Sequence, residues 1–365
     1  MLGEMLNRVL LAFLALAPAY AATPCLSATT ECTEWVTLGG GPSRSMIYRT
    51  YSLDLRNDRI TRALVMVHGT NRDADNYYRN ALASAFLANA LEDTVVIAPR
   101  IASNDRGCRD ALAPNEVSYS CSGDSWRSGG TAASDEKLTS FDFIDEVLRK
   151  LARKDIFPNL KHIVVAGHSA GGQFVNRYEM ANRVHETLGV PVSYVVANPS
   201  SYAYPDSVRP TAADWPVTAG PPGYSPEPAG AAAGRGRAEG GTPGAIFRPF
   251  GDARNCTTYD QWPYGFEHRS GYTAKLSDEQ LKKQLASRPT TYLLGELDIL
   301  PLGGFDGSCP AMAQGPTRLA RGLAFSKYVT EKLGGHPEVT VIPECAHNAR
   351  CMFTDEKALP IVFPK

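Results

Sequence analysis

The sequence has no long run of charges of one sign and no basic helical stretch. Its 37 Lys and Arg residues nearly balance its 38 Asp and Glu residues, which gives a formal net charge of −1. Nucleic acids and anionic membrane surfaces attract proteins through clustered positive charge. We therefore expect neither of them as a partner. No internal repeat is visible either.

Apolar runs long enough to span a membrane are also missing. The first apolar run, 9–17, follows Arg8 and precedes Ala19-Tyr20-Ala21, which has a small-x-small pattern. This arrangement is typical of a secretory signal peptide. We predict a signal peptide over residues 1–21, with cleavage near Ala21 or Ala22, and a mature protein that is secreted or periplasmic.

Paired C-x-x-C spacings, which mark many zinc sites, do not occur. All eight cysteines follow the predicted cleavage point, and an even number in an exported chain favours disulfides. The sequence does not fix their connectivity. Proximity favours three short-range pairs and leaves a fourth: Cys25–Cys32, Cys108–Cys121, Cys345–Cys351 and Cys256–Cys309.

Short apolar runs alternate with helical patterns along most of the chain. A chain of 365 residues that is 43% hydrophobic can bury a large core, and we predict a single domain over residues 22–365. Alternating strands and helices predict an α/β fold, with a mainly parallel sheet covered by helices on both faces. Residues 205–289 interrupt the alternation and are expected to form an insertion or lid region. Within it, residues 205–244 are rich in Gly, Pro and Ala.

The stretch 161–172, KHIVVAGHSAGG, carries the strongest functional signal. An apolar strand leads into Gly167-His168-Ser169-Ala170-Gly171, and a helical pattern follows over 173–188. A serine on so sharp a turn takes a strained backbone conformation, and glycines two residues away on either side avoid clashes. The turn exposes the hydroxyl and aims the Ala170 N–H at a developing oxyanion. The alternative is an ordinary glycine-rich turn with an exposed serine.

A serine hydroxyl needs a base to take its proton and a third group to orient that base. Asp298 follows the apolar strand 290–294, and His347 follows the last predicted strand. Chain order and strand-end position predict Ser169 as the nucleophile, His347 as the general base and Asp298 as the orienting carboxylate. Glu296 is the alternative acid, because the sequence does not fix the register of its loop.

The loop His68-Gly69-Thr70-Asn71 follows the first buried strand and is expected to supply a second oxyanion-hole donor opposite Ala170. Thr70 is the predicted donor and Asn71 the alternative, while a plain strand-end turn is the competing interpretation. His68 is expected to be structural. We predict substrate contacts for four residues, although core or lid packing competes for the tryptophans: Asn71, Trp126, His168 and Trp262.

With these residues in place, the chain resembles an α/β-hydrolase, and within that superfamily the exported bacterial serine esterases, which include carboxylesterases, polyester depolymerases and feruloyl esterases. The resemblance rests on His68-Gly69, the 167–172 turn, Gly295-x-x-Asp298 and His347, and it extends from about residue 34 to the C-terminus. It implies an α/β-hydrolase fold, while the Gly/Pro-rich insertion after the sixth strand departs from a compact esterase core.

The resulting hypothesis is a secreted serine hydrolase that cleaves small or polymeric carboxylic esters through an acyl-enzyme. No metal or organic cofactor is expected. Two alternatives stay open from the sequence. One is a serine peptidase or amidase that uses the same residues, and the other is a non-catalytic binding protein on a hydrolase scaffold.

Overall fold

The computed structural model describes residues 23–121, 125–211 and 245–365. The predicted signal peptide and residues 212–244 of the Gly/Pro-rich stretch lie outside these ranges, so both stay predictions.

A sheet of eight strands forms the centre of the described part of the chain. Its strands, in spatial order, are β1 (Thr33–Thr37), β2 (Arg44–Arg49), β4 (Thr94–Pro99), β3 (Arg62–Val67), β5 (His162–His168), β6 (Val192–Ala197), β9 (Thr290–Gly295) and β10 (Glu338–Ile342). β2 is antiparallel to both of its neighbours. All other neighbouring strands are parallel, which confirms the predicted mainly parallel sheet.

Helices cover both faces of this sheet, as the alternating pattern predicted. One face carries α2 (Ser140–Leu151), α3 (Ala170–Ala181), α4 (Asp278–Ser287) and α6 (Arg318–Leu333). The other carries α1 (Ala74–Leu87), α7 (Ala349–Thr354) and α8 (Leu359–Val362). Successive residues of a strand point to opposite faces, so Leu64 and Met66 of β3 enter one core while Val65 and Val67 enter the other.

The chain between β6 and β9 departs from the strand–helix alternation, as expected for an insertion after the sixth strand. β7 (Val208–Pro210) and β8 (Phe247–Pro249) pair antiparallel and flank the undescribed stretch. The disulfide Cys256–Cys309 joins this region to α5 (Cys309–Met312).

The helix after Ser169 is shorter than the sequence pattern predicted. α3 stops at Ala181 rather than near residue 188. The side-chain oxygen of Asn182 accepts hydrogen bonds from the N–H groups of Val184 and His185, at 2.7 and 3.0 Å. These bonds compete with the backbone hydrogen bonds that would continue the α-helix. Residues 185–187 therefore form a separate 3₁₀ helix.

A buried carboxyl group ties α3 to β9, the strand that leads to Asp298. The Glu179 carboxyl accepts hydrogen bonds from Thr290 Oγ1 at 2.7 Å and from Asn176 Nδ2 at 2.9 Å. Burial raises the pKa of Glu179 to about 8. Its proton is therefore held more tightly in the folded chain than in the unfolded chain, where the pKa is near 4.5.

The sign of this pKa shift predicts how stability depends on pH. The contribution of Glu179 is fully present below about pH 4.5 and is lost as the pH rises through about 8. Replacing Glu179 with Gln removes this dependence. Melting temperatures are measured by circular dichroism at pH 5 and pH 9. We expect the melting temperature of the wild type to fall between these two values by at least about 3 °C more than that of Glu179→Gln. The exposed Glu356→Gln change is the control, and a difference that is flat with pH would contradict the prediction.

Candidate active site

The backbone at Ser169 adopts a conformation that side chains rarely take. Its φ is 60° and its ψ is −120°, at the junction of β5 and α3. A Cβ at Gly167 would lie 2.3 Å from the carbonyl oxygen of Gly171, and a Cβ at Gly171 would lie 2.3 Å from that of Val67. Such distances are far below van der Waals contact, so both glycines are required by the close approach of three backbone segments.

Three side chains that follow three different strands meet at this turn. His347 Nε2 lies 2.9 Å from Ser169 Oγ, and His347 Nδ1 lies 2.7 Å from Asp298 Oδ2. Because a carboxylate only accepts, Nδ1 carries the proton, and Nε2 is left to accept from the serine hydroxyl. Ser169 and Asp298 are only 8% and 2% exposed. Glu296, the alternative acid, instead accepts the backbone N–H of Glu344 at 2.9 Å.

Arg318 completes the surroundings of the Asp298 carboxylate, although sequence reasoning did not single it out. Its Nη1 donates to Asp298 Oδ1 at 3.2 Å, its Nε to Ser200 Oγ at 2.7 Å and its Nη2 to the Gly303 carbonyl at 3.0 Å. The Arg318 side chain is fully buried. Burial lowers its pKa, and the Asp298 charge opposes that change. No local motif could have pointed to it, since Arg318 sits in the first turn of an otherwise amphipathic helix.

His168 packs against the ring of His347. Its ring centroid lies 4.6 Å from that of His347, and its Nδ1 lies 3.2 Å from the Tyr77 hydroxyl. Burial lowers the pKa of His168 well below its usual range, and the neighbouring His347 and Arg318 lower it further. His168 is therefore a neutral ring at physiological pH.

His68 holds the loop expected to carry the second oxyanion-hole donor. The Ile101 N–H donates to His68 Nε2 at 3.2 Å, which leaves the ring proton on Nδ1, 2.9 Å from the Gly69 carbonyl oxygen. Burial lowers the pKa of His68 to about 4. The ring therefore stays neutral and supports the start of the loop from inside the core.

A cavity of about 490 Å³ opens beside Ser169. Its walls come from the loop after β3, from α1, and from the segments around His347. The lining residues are Gly69, Thr70, Asn71, Asp73, Asn76, Tyr77, Asn80, His168, Ser169, Gly303, Gly304, His347, Asn348, Ala349 and Arg350. Thr70, Asn71 and His168 thus face the cavity, and Ala170 starts α3 directly after the serine.

The two tryptophans predicted to contact substrate lie elsewhere. Trp126 is 3% exposed and packs in the core, with its ring 5.1 Å from that of His68. The indole N–H of Trp262 donates to the Ser128 carbonyl at 3.2 Å. Neither lines the cavity, so the structure does not support these two predicted contacts. Both rings instead cover apolar surface, which is the packing alternative.

The described cysteines form four disulfides: Cys25–Cys32, Cys108–Cys121, Cys256–Cys309 and Cys345–Cys351. The last of these brackets His347 within a short loop that ends in α7. Within the residues that the structure describes, none of the helices has the length and apolar character needed to cross a membrane.

Comparison with known proteins defines the family. A model of the Alpha/beta hydrolase family matches residues 64–359. The chain belongs to the α/β-hydrolase family. A search of curated protein sequences returns no match.

Two solved structures share the α/β-hydrolase fold with this chain. Poly(aspartic acid) hydrolase-1 from Sphingomonas sp. KT-1 superposes with a TM-score of 0.57 and 19% identity, covering 91% of this chain and 97% of its own. A poly(3-hydroxybutyrate) depolymerase from Bordetella parapertussis superposes with a TM-score of 0.53 and 18% identity, covering 88% and 89%.

The Cys345–Cys351 bond is predicted to order the His347 loop of this α/β-hydrolase. Replacing both cysteines with Ala should lower the melting temperature by several degrees and speed hydrogen exchange of the amides in 346–350. Replacing Cys25 and Cys32 is the matched control, because the two loops have sequence separations of 6 and 7. Both changes lose a similar loop-closure contribution, about 2–3 kcal/mol, but only the first should affect 346–350. Equal exchange in the two variants would refute the prediction.

Proposed function

We propose that this α/β-hydrolase is an exported serine esterase that cleaves carboxylic esters through an acyl-enzyme. The observation that carries the proposal is the hydrogen-bonded series Ser169–His347–Asp298, with distances of 2.9 and 2.7 Å, at the wall of a cavity. The four disulfides and the predicted signal peptide support export.

In the proposed reaction, Ser169 Oγ attacks the ester carbonyl carbon while His347 Nε2 takes the hydroxyl proton. Asp298 stabilises the imidazolium that forms. The N–H groups of Ala170 and Thr70 donate to the oxyanion. The tetrahedral intermediate expels the alcohol, which receives its proton from His347. Water then attacks the acyl-enzyme with His347 again as the base, and the acid leaves as the Ser169 hydroxyl re-forms.

The surroundings of His347 favour this direction of proton transfer. The neutral His168 ring packs against the imidazole at an interplanar angle of 39° without adding charge. Asp298 keeps one oxygen for His347, because Arg318 occupies the other. The imidazole is therefore held in one tautomer and one orientation before substrate arrives.

The choice of an ester over an amide rests on the resemblance to exported esterases. Of the two structural neighbours described above, one is named for a polyester and the other for poly(aspartic acid), whose residues are joined by amide bonds, so their names do not choose between an ester and an amide. A peptidase or amidase would use the same three residues, so the two reactions must be separated by measurement.

The Ser169→Ala variant tests the proposal. With the nucleophile removed, hydrolysis of p-nitrophenyl butyrate should fall by about 10⁴-fold or more. A fluorophosphonate probe should label the wild type at Ser169 and leave the variant unlabelled. Ser43→Ala, at a serine that donates to Asp135 far from the cavity, is the control and should keep wild-type activity. Wild-type activity in Ser169→Ala would overturn the assignment.

A p-nitroanilide with the same acyl group separates the esterase from its amidase alternative. The esterase proposal expects the ester to be cleaved at least about 10³-fold faster than the anilide after each rate is divided by its hydroxide-catalysed rate. Faster normalised cleavage of the anilide would favour the amidase. Absence of both labelling and hydrolysis would favour the binding protein.

Arg318 is predicted to be a positioning residue for Asp298. Removing one partner of a buried ion pair leaves the other charge uncompensated. In Arg318→Met we expect kcat to fall by about 10- to 100-fold with KM changed less than about threefold, and Arg318→Lys to recover part of the loss.

Arg321→Met is the matched control for this change. Arg321 lies one turn further along α6 and is also buried, but it donates to the carbonyls of Ser200, Gly315 and Asp306 rather than to Asp298. Both variants should lose thermal stability. If kcat falls equally in the two variants, Arg318 has only a structural role.

A further inference from the structure

The polar character of the cavity carries a proposal about the substrate that rests on the proposed function. We propose that the cavity is a subsite for a polyhydroxylated group, so that the preferred substrates are esters bearing several hydroxyl groups, such as esters of sugars or polyols. The occupant hydrogen-bonds to Asn80.

Four positions of the α1 segment form one wall of the cavity. Asp73 stands at the N-cap position of α1, and Asn76, Tyr77 and Asn80 follow at spacings of three, four and seven residues, which places all four on one helix face. All four side chains are polar or carry a polar group. A cavity that accepts a fatty acyl chain would need an apolar wall here.

Asn80 is one of the two buried residues of this wall and has an open hydrogen-bonding capacity. Its side chain is only 7% exposed. Among the described residues, no side chain or backbone group bonds its amide. The amide is not sealed in the protein interior but opens onto the cavity. Since Asn80 faces the cavity, a hydroxyl group held there is in position to bond its amide.

The opposite wall repeats this polar character. It is formed by Asn348, Ala349 and Arg350 at the start of α7, and α7 packs against α1. Asp73 and Arg350 give the lining one acidic and one basic side chain, so neither sign of charge dominates it. Asparagine amides both donate and accept, and so do hydroxyl groups. Hydrogen bonding to these asparagine amides therefore favours a neutral group with several hydroxyls.

An alkyl group in this cavity would leave the Asn80 amide unbonded, and sites built to bond a hydroxyl reject analogues that lack it. The test uses two ester pairs of similar size. On the alcohol side, 2,3-dihydroxypropyl acetate is compared with pentyl acetate. On the acyl side, methyl 3,5-dihydroxyhexanoate is compared with methyl hexanoate. Each kcat/KM is divided by the hydroxide-catalysed rate.

In the wild type we expect the hydroxylated ester to be favoured by at least about 10-fold in one of the two pairs. In Asn80→Leu, which has nearly the same side-chain size, that preference should fall below about threefold. Arg79→Leu, at an exposed position on α1 outside the cavity, is the control and should keep the full preference. Asn80→Ala replaces the leucine variant if the latter does not fold.

Two results would overturn the subsite. One is a wild type that treats both pairs equally or favours the alkyl esters, and the other is a preference that survives in Asn80→Leu. Labelling of Ser169 by a fluorophosphonate, measured in parallel, separates these results from failure of the proposed function. If no ester is hydrolysed, the affinities of Ser169→Ala for 2,3-dihydroxypropyl acetate and pentyl acetate are measured by nuclear magnetic resonance titration. Tighter binding of the dihydroxypropyl ester supports the subsite, and equal binding refutes it.

Discussion

The contact between three backbone segments at Ser169 is the constraint on which the site depends. β3, the end of β5 and the start of α3 approach so closely that only glycine fits at positions 167 and 171. Ser169 lies between them at a φ of 60°, a strained conformation that persists only where the surroundings hold it. Every residue of α3 is buried, so these surroundings are rigid. The direction of the Ser169 Cα–Cβ bond is therefore fixed before any partner is considered.

The parts of the fold that follow from local sterics or hydrophobic pattern could be predicted from the sequence. The glycine spacing around Ser169 indicates a turn in which larger side chains would clash, and the apolar runs indicate buried strands such as β3. Asp298 and His347 could be proposed because parallel strands bring their carboxyl ends to one edge. The choice between Asp298 and Glu296 could not be made, because it depends on how the loop turns after β9. In the structure that turn sends Glu296 to the Glu344 N–H.

Where a residue's role depends on tertiary contacts, that role could not be predicted from local sequence patterns. A helical pattern treats polar positions as solvent-facing, yet Arg318 is buried against Asp298 and Asn80 is buried at the wall of the cavity. Aromatic residues in irregular segments pose the opposite problem. Trp126 has the same local sequence whether it lines a cavity or fills a core, and its contact with His68 decides for the core.

The buried charges around the site also bear on the proposed chemistry. Asp298 and Arg318 form a pair that is neutral as a unit, deep in a region of low dielectric. His168 is held neutral beside it. In the proposed reaction, proton transfer to His347 and attack by Ser169 create one positive and one negative charge a few ångströms apart. The net charge of the site is therefore the same before and during the reaction. Fixed dipoles and the Asp298–Arg318 pair then need only to stabilise a separation of charge, which preorganised groups do without reorganising.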